Sequence, residues 1–234
     1  MAWNMKGILA GALLVASAPL LAQAQGQATE ANWDGLVRVR SDKIELVYLA
    51  PESDFRPYTK VMIDPSEIAM RANWLRDQRR NSSSLGSQAT ERDITRALER
   101  GRQQFDTYFA DAFTSAGFTI ATEPGPDVLR IRPGVVDIDV FAPDVASGRT
   151  RTFTEEAGAG TLVVEVRDSQ TNALLGRAIE RRLAGDNGPW LRTAASNRAD
   201  FDRLFRRWAE LSANGLVELR NLSPVDVNGA SLAR

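Results

Sequence analysis

Histidine and cysteine are both missing from all 234 residues. Without cysteine there can be no disulfide, thiolate zinc site, iron–sulfur cluster or cysteine nucleophile. Without histidine the usual triad base and the commonest transition-metal ligand are also gone, along with the one side chain that titrates near neutrality unperturbed. Lysine is scarce: of 29 basic residues only Lys6, Lys43 and Lys60 are lysine. Those 29 are balanced by 30 acidic residues, for a formal net charge of −1. That balance excludes a strongly basic nucleic-acid binder and an acidic disordered tail. No glycine is followed by lysine, so there is no phosphate loop, and neither a G-x-S-x-G elbow nor an S-x-x-K dyad occurs. Gly158-Ala159-Gly160 opens like a dinucleotide fingerprint, but Val163 stands where the third glycine belongs. No cofactor is expected.

What is present begins with an address. Lys6 precedes an uncharged run over residues 7–21, apolar except for Ser17 and Pro19, and Ala22-Gln23-Ala24 follows as an A-x-A site. This is the pattern of a secretory signal peptide over residues 1–24, with cleavage after Ala24. The run is shorter than the roughly 20 residues a span needs, and no other stretch is long and apolar enough, so the mature chain is expected to lack a transmembrane span. A lipoprotein signal would need cysteine where Gln23 or Gln25 stands. The expected location is therefore periplasmic or secreted, and the arginine bias hints at a GC-rich bacterial genome.

Residues 25–42 are polar and irregular and read as a flexible lead-in containing Trp33. Strands are expected over residues 44–49 and 58–63. Ile68, Met70, Ala72 and Trp74 then fall at every second position, which predicts a third strand, and the charged, Ser-rich residues 76–88 read as a loop. A helix is predicted over residues 90–116, opened by a Thr90/Asp93 capping pair and closed by Gly117. Its apolar stripe runs through Ile94, Ala97, Leu98, Gly101, Phe105, Phe109 and Phe113 and reads as core. After a short strand over residues 118–121, apolar parity flips at Pro133-Gly134, between Leu129/Ile131 and Val136/Ile138/Val140. Either a one-residue bulge or a hairpin turn falls there; the type II twist of Pro-Gly favours the bulge. A hairpin follows with strands around residues 162–166 and 174–183. A last helix is expected from near Asn197 to about residue 221, and residues 223–234 read as a disordered tail. The fold class is α+β, a mainly antiparallel sheet with two long helices packed on one face, forming a single domain over residues 43–222.

Several short segments resemble a family of bacterial envelope proteins, many of them lipoproteins, labelled domain of unknown function 3313. They are Tyr58 with Val61-Met62-Ile63-Asp64-Pro65, then Ala116-Gly117-Phe118 leading to Pro126-Asp127-Val128-Leu129-Arg130-Ile131-Arg132. Val164-Glu165-Val166-Arg167-Asp168-Ser169 with Leu174-Leu175, and Trp208-Ala209, complete the set. The resemblance spans about residues 33–221. It implies an envelope protein but no catalytic residue, and this chain lacks the acylated cysteine of the lipoprotein members.

Candidate functional groups are few. Asp137 and Asp139, two apart on a strand, share a face and are the only metal or acid–base pair that the spacing suggests. Two ligands are too few for calcium, and a charged solvent face, shared with Arg130 and Arg132, accounts for them better. Trp74 with Arg76, Arg79 and Arg80 forms the densest basic cluster and, with Trp190, is the candidate partner-binding set, against anionic lipid or polysaccharide. Three functions compete: a non-catalytic binding or adaptor module of the envelope; a carrier of a lipid or other apolar ligand in a groove between sheet and Phe-rich helix; and a carboxylate-dependent hydrolase. The expected partner is an envelope protein or lipid, not nucleic acid.

Overall fold

The computed structural model describes residues 31–32, 34–81, 90–141, 153–185 and 190–226. The expected signal segment, Trp33 and residues 227–234 of the expected tail lie outside them. In chain order the elements are β1 (Ala31–Asn32), β2 (Leu36–Val39), β3 (Leu46–Leu49), β4 (Lys60–Ile63), β5 (Glu67–Met70), α1 (Trp74–Asn81) and α2 (Glu91–Ser115). Then come β6 (Thr119–Ile120), β7 (Val128–Val140), β8 (Phe153–Thr154), β9 (Gly158–Asp168), β10 (Leu174–Ala184), β11 (Trp190–Leu191) and α3 (Ala194–Leu222).

Among the described residues nine strands form one sheet in the order β1-β2-β3-β10-β9-β7-β4-β6, with β5 paired to β7 beyond the end of β4. β8 and β11 make a separate two-stranded pair. The α+β class is as expected, but the sheet is mixed, not purely antiparallel. β4 and β5 both run parallel to β7, and β6 runs parallel to β4. The reason lies in α2, which carries the chain from one end of the sheet back to the other, so β6 and β7, which follow it, run parallel to β4 and β5, which precede it.

Three helices form among the described residues, not two. The chain turns at Asn73, whose φ is +62°, and α1 begins at Trp74, so the expected strand stops at Met70 and the first part of the expected loop is helical. Within the expected lead-in, β2 pairs with β3, because Val37 and Val39 face the same side as Leu49 and Val47. α2 opens with both halves of the Thr90/Asp93 capping box and ends before Gly117, whose φ of +91° suits a residue without Cβ. α3 starts three residues earlier than expected. Ser196 completes a capping box with Thr193, a part normally played by Glu or Gln. At the other end Ser223 Oγ accepts from Phe55 N at 2.9 Å, and Val225 is buried, so packing continues into the first residues of the expected tail.

No hairpin turn interrupts β7, and the bulge is not at Pro133-Gly134. Register against β9 runs unbroken from Leu129 to Val136 and shifts only between Val136 and Asp139. Asp137, at φ +52°, is the extra residue, so the buried series Leu129, Ile131, Val135 hands over to Ile138 there.

Leu129, Ile131, Val135, Leu162 and Val164 give the sheet an apolar face, on which α2 and α3 lie side by side. Phe105, Phe109 and Phe113 pack in a row along α2, the Phe105 and Phe205 rings cross edge to face at 5.1 Å, and Phe205 stacks on Trp208 of α3. The opposite face is a ladder of ions. Arg130 holds Asp64 across β7–β4 at 3.0 Å, and Glu165 accepts from Arg167 at 2.9 Å and Arg177 at 2.7 Å. Burial pushes the Glu165 carboxyl up, but the hydrogen bonds from Arg177 and Arg167 outweigh it and hold the group below its ordinary value. A carboxyl depressed on folding contributes stability that is present above its unfolded pKa and lost as pH falls through the folded one. Denaturation midpoints should therefore fall as the pH drops below about 4.3, the ordinary Glu value, and the fall should be shallower in Glu165→Gln.

Candidate functional site

The α2 stripe is not covered along its whole length. Phe105, Phe109 and Phe113 are fully buried, whereas Ile94 and Leu98 are half-buried and Ala97 is exposed. Over these first turns α2 stands away from the sheet and leaves a groove of about 780 Å³. Its floor is Ile138 and Val140 at the end of β7 with Ile68 and Met70 of β5. Phe201 and Phe205 of α3 form the far wall, and Trp74 closes one end. The size falls within the ~300–1,000 Å³ usual for ligand sites, and the mix of apolar lining with a few polar groups is also typical.

Each wall is fixed by something legible nearby. The Trp74 Nε1–H donates to the Val140 carbonyl at 3.2 Å, which seats the indole against β7. Gln78 donates to the same oxygen. Arg71 bridges Asp139 and Asp77, at 3.0 and 2.9 Å, and ties the start of α1 to the bulged end of β7. The α3 wall is anchored from behind by Arg192, whose guanidinium is buried and ion-paired to Asp200. Its remaining donors go to Thr154 Oγ1 at 2.8 Å and to the Glu155 carbonyl at 2.7 Å.

Four charged residues also line the groove: Asp93, Arg100, Arg198 and Asp202. Asp93 is held low by its hydrogen bonds from Thr90 in the helix cap. Burial pushes the Asp202 carboxyl up, against the pull of Arg206 and Arg198. Gly101 sits opposite Phe205, and a Cβ built there would lie 3.8 Å from the ring, in ordinary contact. Gly101→Ala should fit and raise stability by up to ~1 kcal/mol, the helical cost of glycine, in a urea titration.

Of the residues singled out from sequence, Trp74 alone lines the groove, and it is buried rather than displayed. Arg76, Arg79 and Arg80 are exposed along α1, with Arg79 and Arg80 in its last turn, where cations suit the helix dipole. Trp190 contributes main chain to β11 opposite Thr154, and its side chain lies outside the described residues. Asp137 and Asp139 are not a matched pair, because the bulge separates them and Asp139 is engaged by Arg71. Among the described residues no group of three His, Cys, Asp or Glu side chains could hold a metal ion. The groove residues Ile94, Leu98 and Phe201 were readable only as helix stripe. Periodicity says which face is apolar, not whether a neighbour covers it.

A mixed sheet carrying two long helices on one face, with a groove where they part from it, defines a mixed α+β protein with an open apolar groove. Residues 31–212 match the family described as Protein of unknown function (DUF3313), and the chain belongs to that family. Three of the segments that carry the resemblance lie on adjacent strands β4, β7 and β9, where they supply Asp64, Arg130, Arg132, Glu165 and Arg167 to the ion ladder. No curated protein matches the chain. Among solved structures, a PelC variant from Paraburkholderia phytofirmans, a dodecamer, is similar at 11% identity over 69% of this chain and 94% of that one, with a TM-score of 0.34. A hemagglutinin homolog from Helicobacter pylori is 9% identical over 75% and 91%, with a TM-score of 0.38. A DUF330 protein from Xanthomonas campestris is 12% identical over 71% and 86%, with a TM-score of 0.34.

Proposed function

We propose that this chain is an exported, non-catalytic binding module of the bacterial envelope whose binding surface is the groove between β5, the end of β7 and the first turns of α2 and α3. One observation carries the reading: Ile94, Leu98 and Phe201 belong to core stripes yet face an open space of about 780 Å³. Leaving such surface in contact with water costs free energy in proportion to its area, so an apolar group that fills it gains what the free chain forgoes. A fluorescent apolar probe such as anilinonaphthalene sulfonate should bind the folded protein. A charge placed on the wall by Leu98→Glu should weaken binding by roughly tenfold or more, since it must be desolvated for the probe to enter. Equal binding by wild type and variant would place the apolar site elsewhere.

The compartment rests on residues 1–24. N-terminal sequencing of the exported protein should begin at Gln25; a membrane fraction retaining residues 1–21 would contradict export as a soluble chain. The same groove supports a second reading, a carrier of lipid. Native mass spectrometry separates the two, since a carrier purifies with an alkyl ligand bound and an adaptor does not.

A further inference from the structure

Among the described residues β5 pairs with a strand on one side, β7. Its register sets Glu67 opposite Gly134 and Ile68 opposite Val135 of β7. Among the described residues no strand pairs with its other edge, although β4, which precedes it along the same side of β7, carries β6 there. Main-chain groups alternate in direction along a strand, and two hydrogen bonds fix the phase for β5. Arg71 N donates toward β7, to the Ile138 carbonyl, at 2.8 Å. Ser66 N points the other way and is taken by Asp106 of α2 at 3.0 Å. By the same alternation the N–H and C=O groups of Ile68 and Met70 face away from β7, into the row that β6 begins. The side chains of these two residues line the groove. An open hydrogen-bonding edge and an apolar groove thus share one strand.

That combination selects among occupants. An alkyl chain offers nothing to the main-chain groups, whereas an extended polypeptide answers them at every second residue and sends alternate side chains into the groove. Resting on the reading of the groove as the binding surface, we propose that an extended segment of a partner protein, with alternating apolar residues, adds to the free edge of β5 in the row of β6.

Random peptides displayed on phage and panned against the purified exported protein should yield sequences of that pattern. A synthetic peptide of the most frequent sequence should slow amide hydrogen exchange at Ile68 and Met70. It should bind Ile68→Pro roughly tenfold more weakly or worse, because that change removes an outward N–H and leaves the bonds to β7 in place. The exchange measurement uses the wild-type protein and stays decisive even if the proline variant does not fold. Peptides that protect α2 and α3 but leave Ile68 and Met70 unprotected would overturn strand addition and keep the groove reading. So would a failure to select any peptide while anilinonaphthalene sulfonate still binds wild type and not Leu98→Glu. If the dye does not bind either, both readings fall.

Discussion

Asp200→Ala should lose about 3–5 kcal/mol of stability in urea denaturation, the usual cost of stripping one partner from a buried ion pair. The Arg192 and Asp200 side chains are only 1% and 4% exposed. Removing the carboxylate leaves a guanidinium among the Thr154 and Glu155 carbonyls with no anion except through rearrangement. Replacing both residues, as in Arg192→Leu/Asp200→Leu, should cost less than the sum of the single changes, because no charge is then stranded. A loss below about 1 kcal/mol for Asp200→Ala would mean that water reaches the pair. The variant should also weaken dye binding, since this pair anchors the start of α3, which carries Asn197, Phe201 and Phe205 to the groove wall.

Phe109→Ala is expected to cost as much, about 3–5 kcal/mol, the range for truncating a buried phenylalanine. Its ring is fully buried, 4.6 Å from Phe105 and 6.0 Å from Phe113, centroid to centroid. No flexible neighbour stands ready to fill the void, because those rings are themselves fixed by Phe205 and Phe118. Leu98→Ala, on the same helix face but half-exposed to the groove, should cost far less, about 1 kcal/mol. The contrast along one helix separates core stripe from binding wall. Equal costs at the two positions would mean that the groove is filled.

The two long helices and the long hairpin were legible because each has local chemistry that no distant contact needs to supply. Thr90 and Asp93 announce a start, Gly117 an end, and three phenylalanines at helical spacing name the face turned inward. Sheet topology was legible in part. The alternation in β9 and β10 is plain, but whether a strand pairs parallel or antiparallel depends on where α2 delivers the chain, and no residue of β4 or β5 records that. The bulge shows a subtler limit. Val136 keeps the apolar parity of Ile138 and Val140, so the flip reads as if it lay at Pro133-Gly134. Burial follows Val135 instead, and the extra residue is Asp137. The end of β5 was similarly hidden, since period two continued through Ala72 and Trp74 although the strand stops at Met70 and left-handed Asn73 turns the chain into α1.

The candidate site was the least legible part, for a physical reason. Arg76, Arg79 and Arg80 drew notice because charge clusters in sequence, yet they lie on the exposed side of a short helix. The groove is made of Ile, Leu, Met and Phe side chains from four elements, each indistinguishable from core until the elements are placed. A site defined by a gap has no composition of its own.

On the proposed function, the partner sits in this gap. A photo-cross-linking amino acid placed at Leu98 in the groove, and in a separate strain at Val163 on the opposite face of the sheet, tests it in intact cells. Irradiation should join Leu98, and not Val163, to one discrete envelope component. A charge set into the groove by Ile94→Glu should abolish that adduct. Cross-linking at Val163 with none at Leu98 would contradict the account and move function to the ion-laddered face.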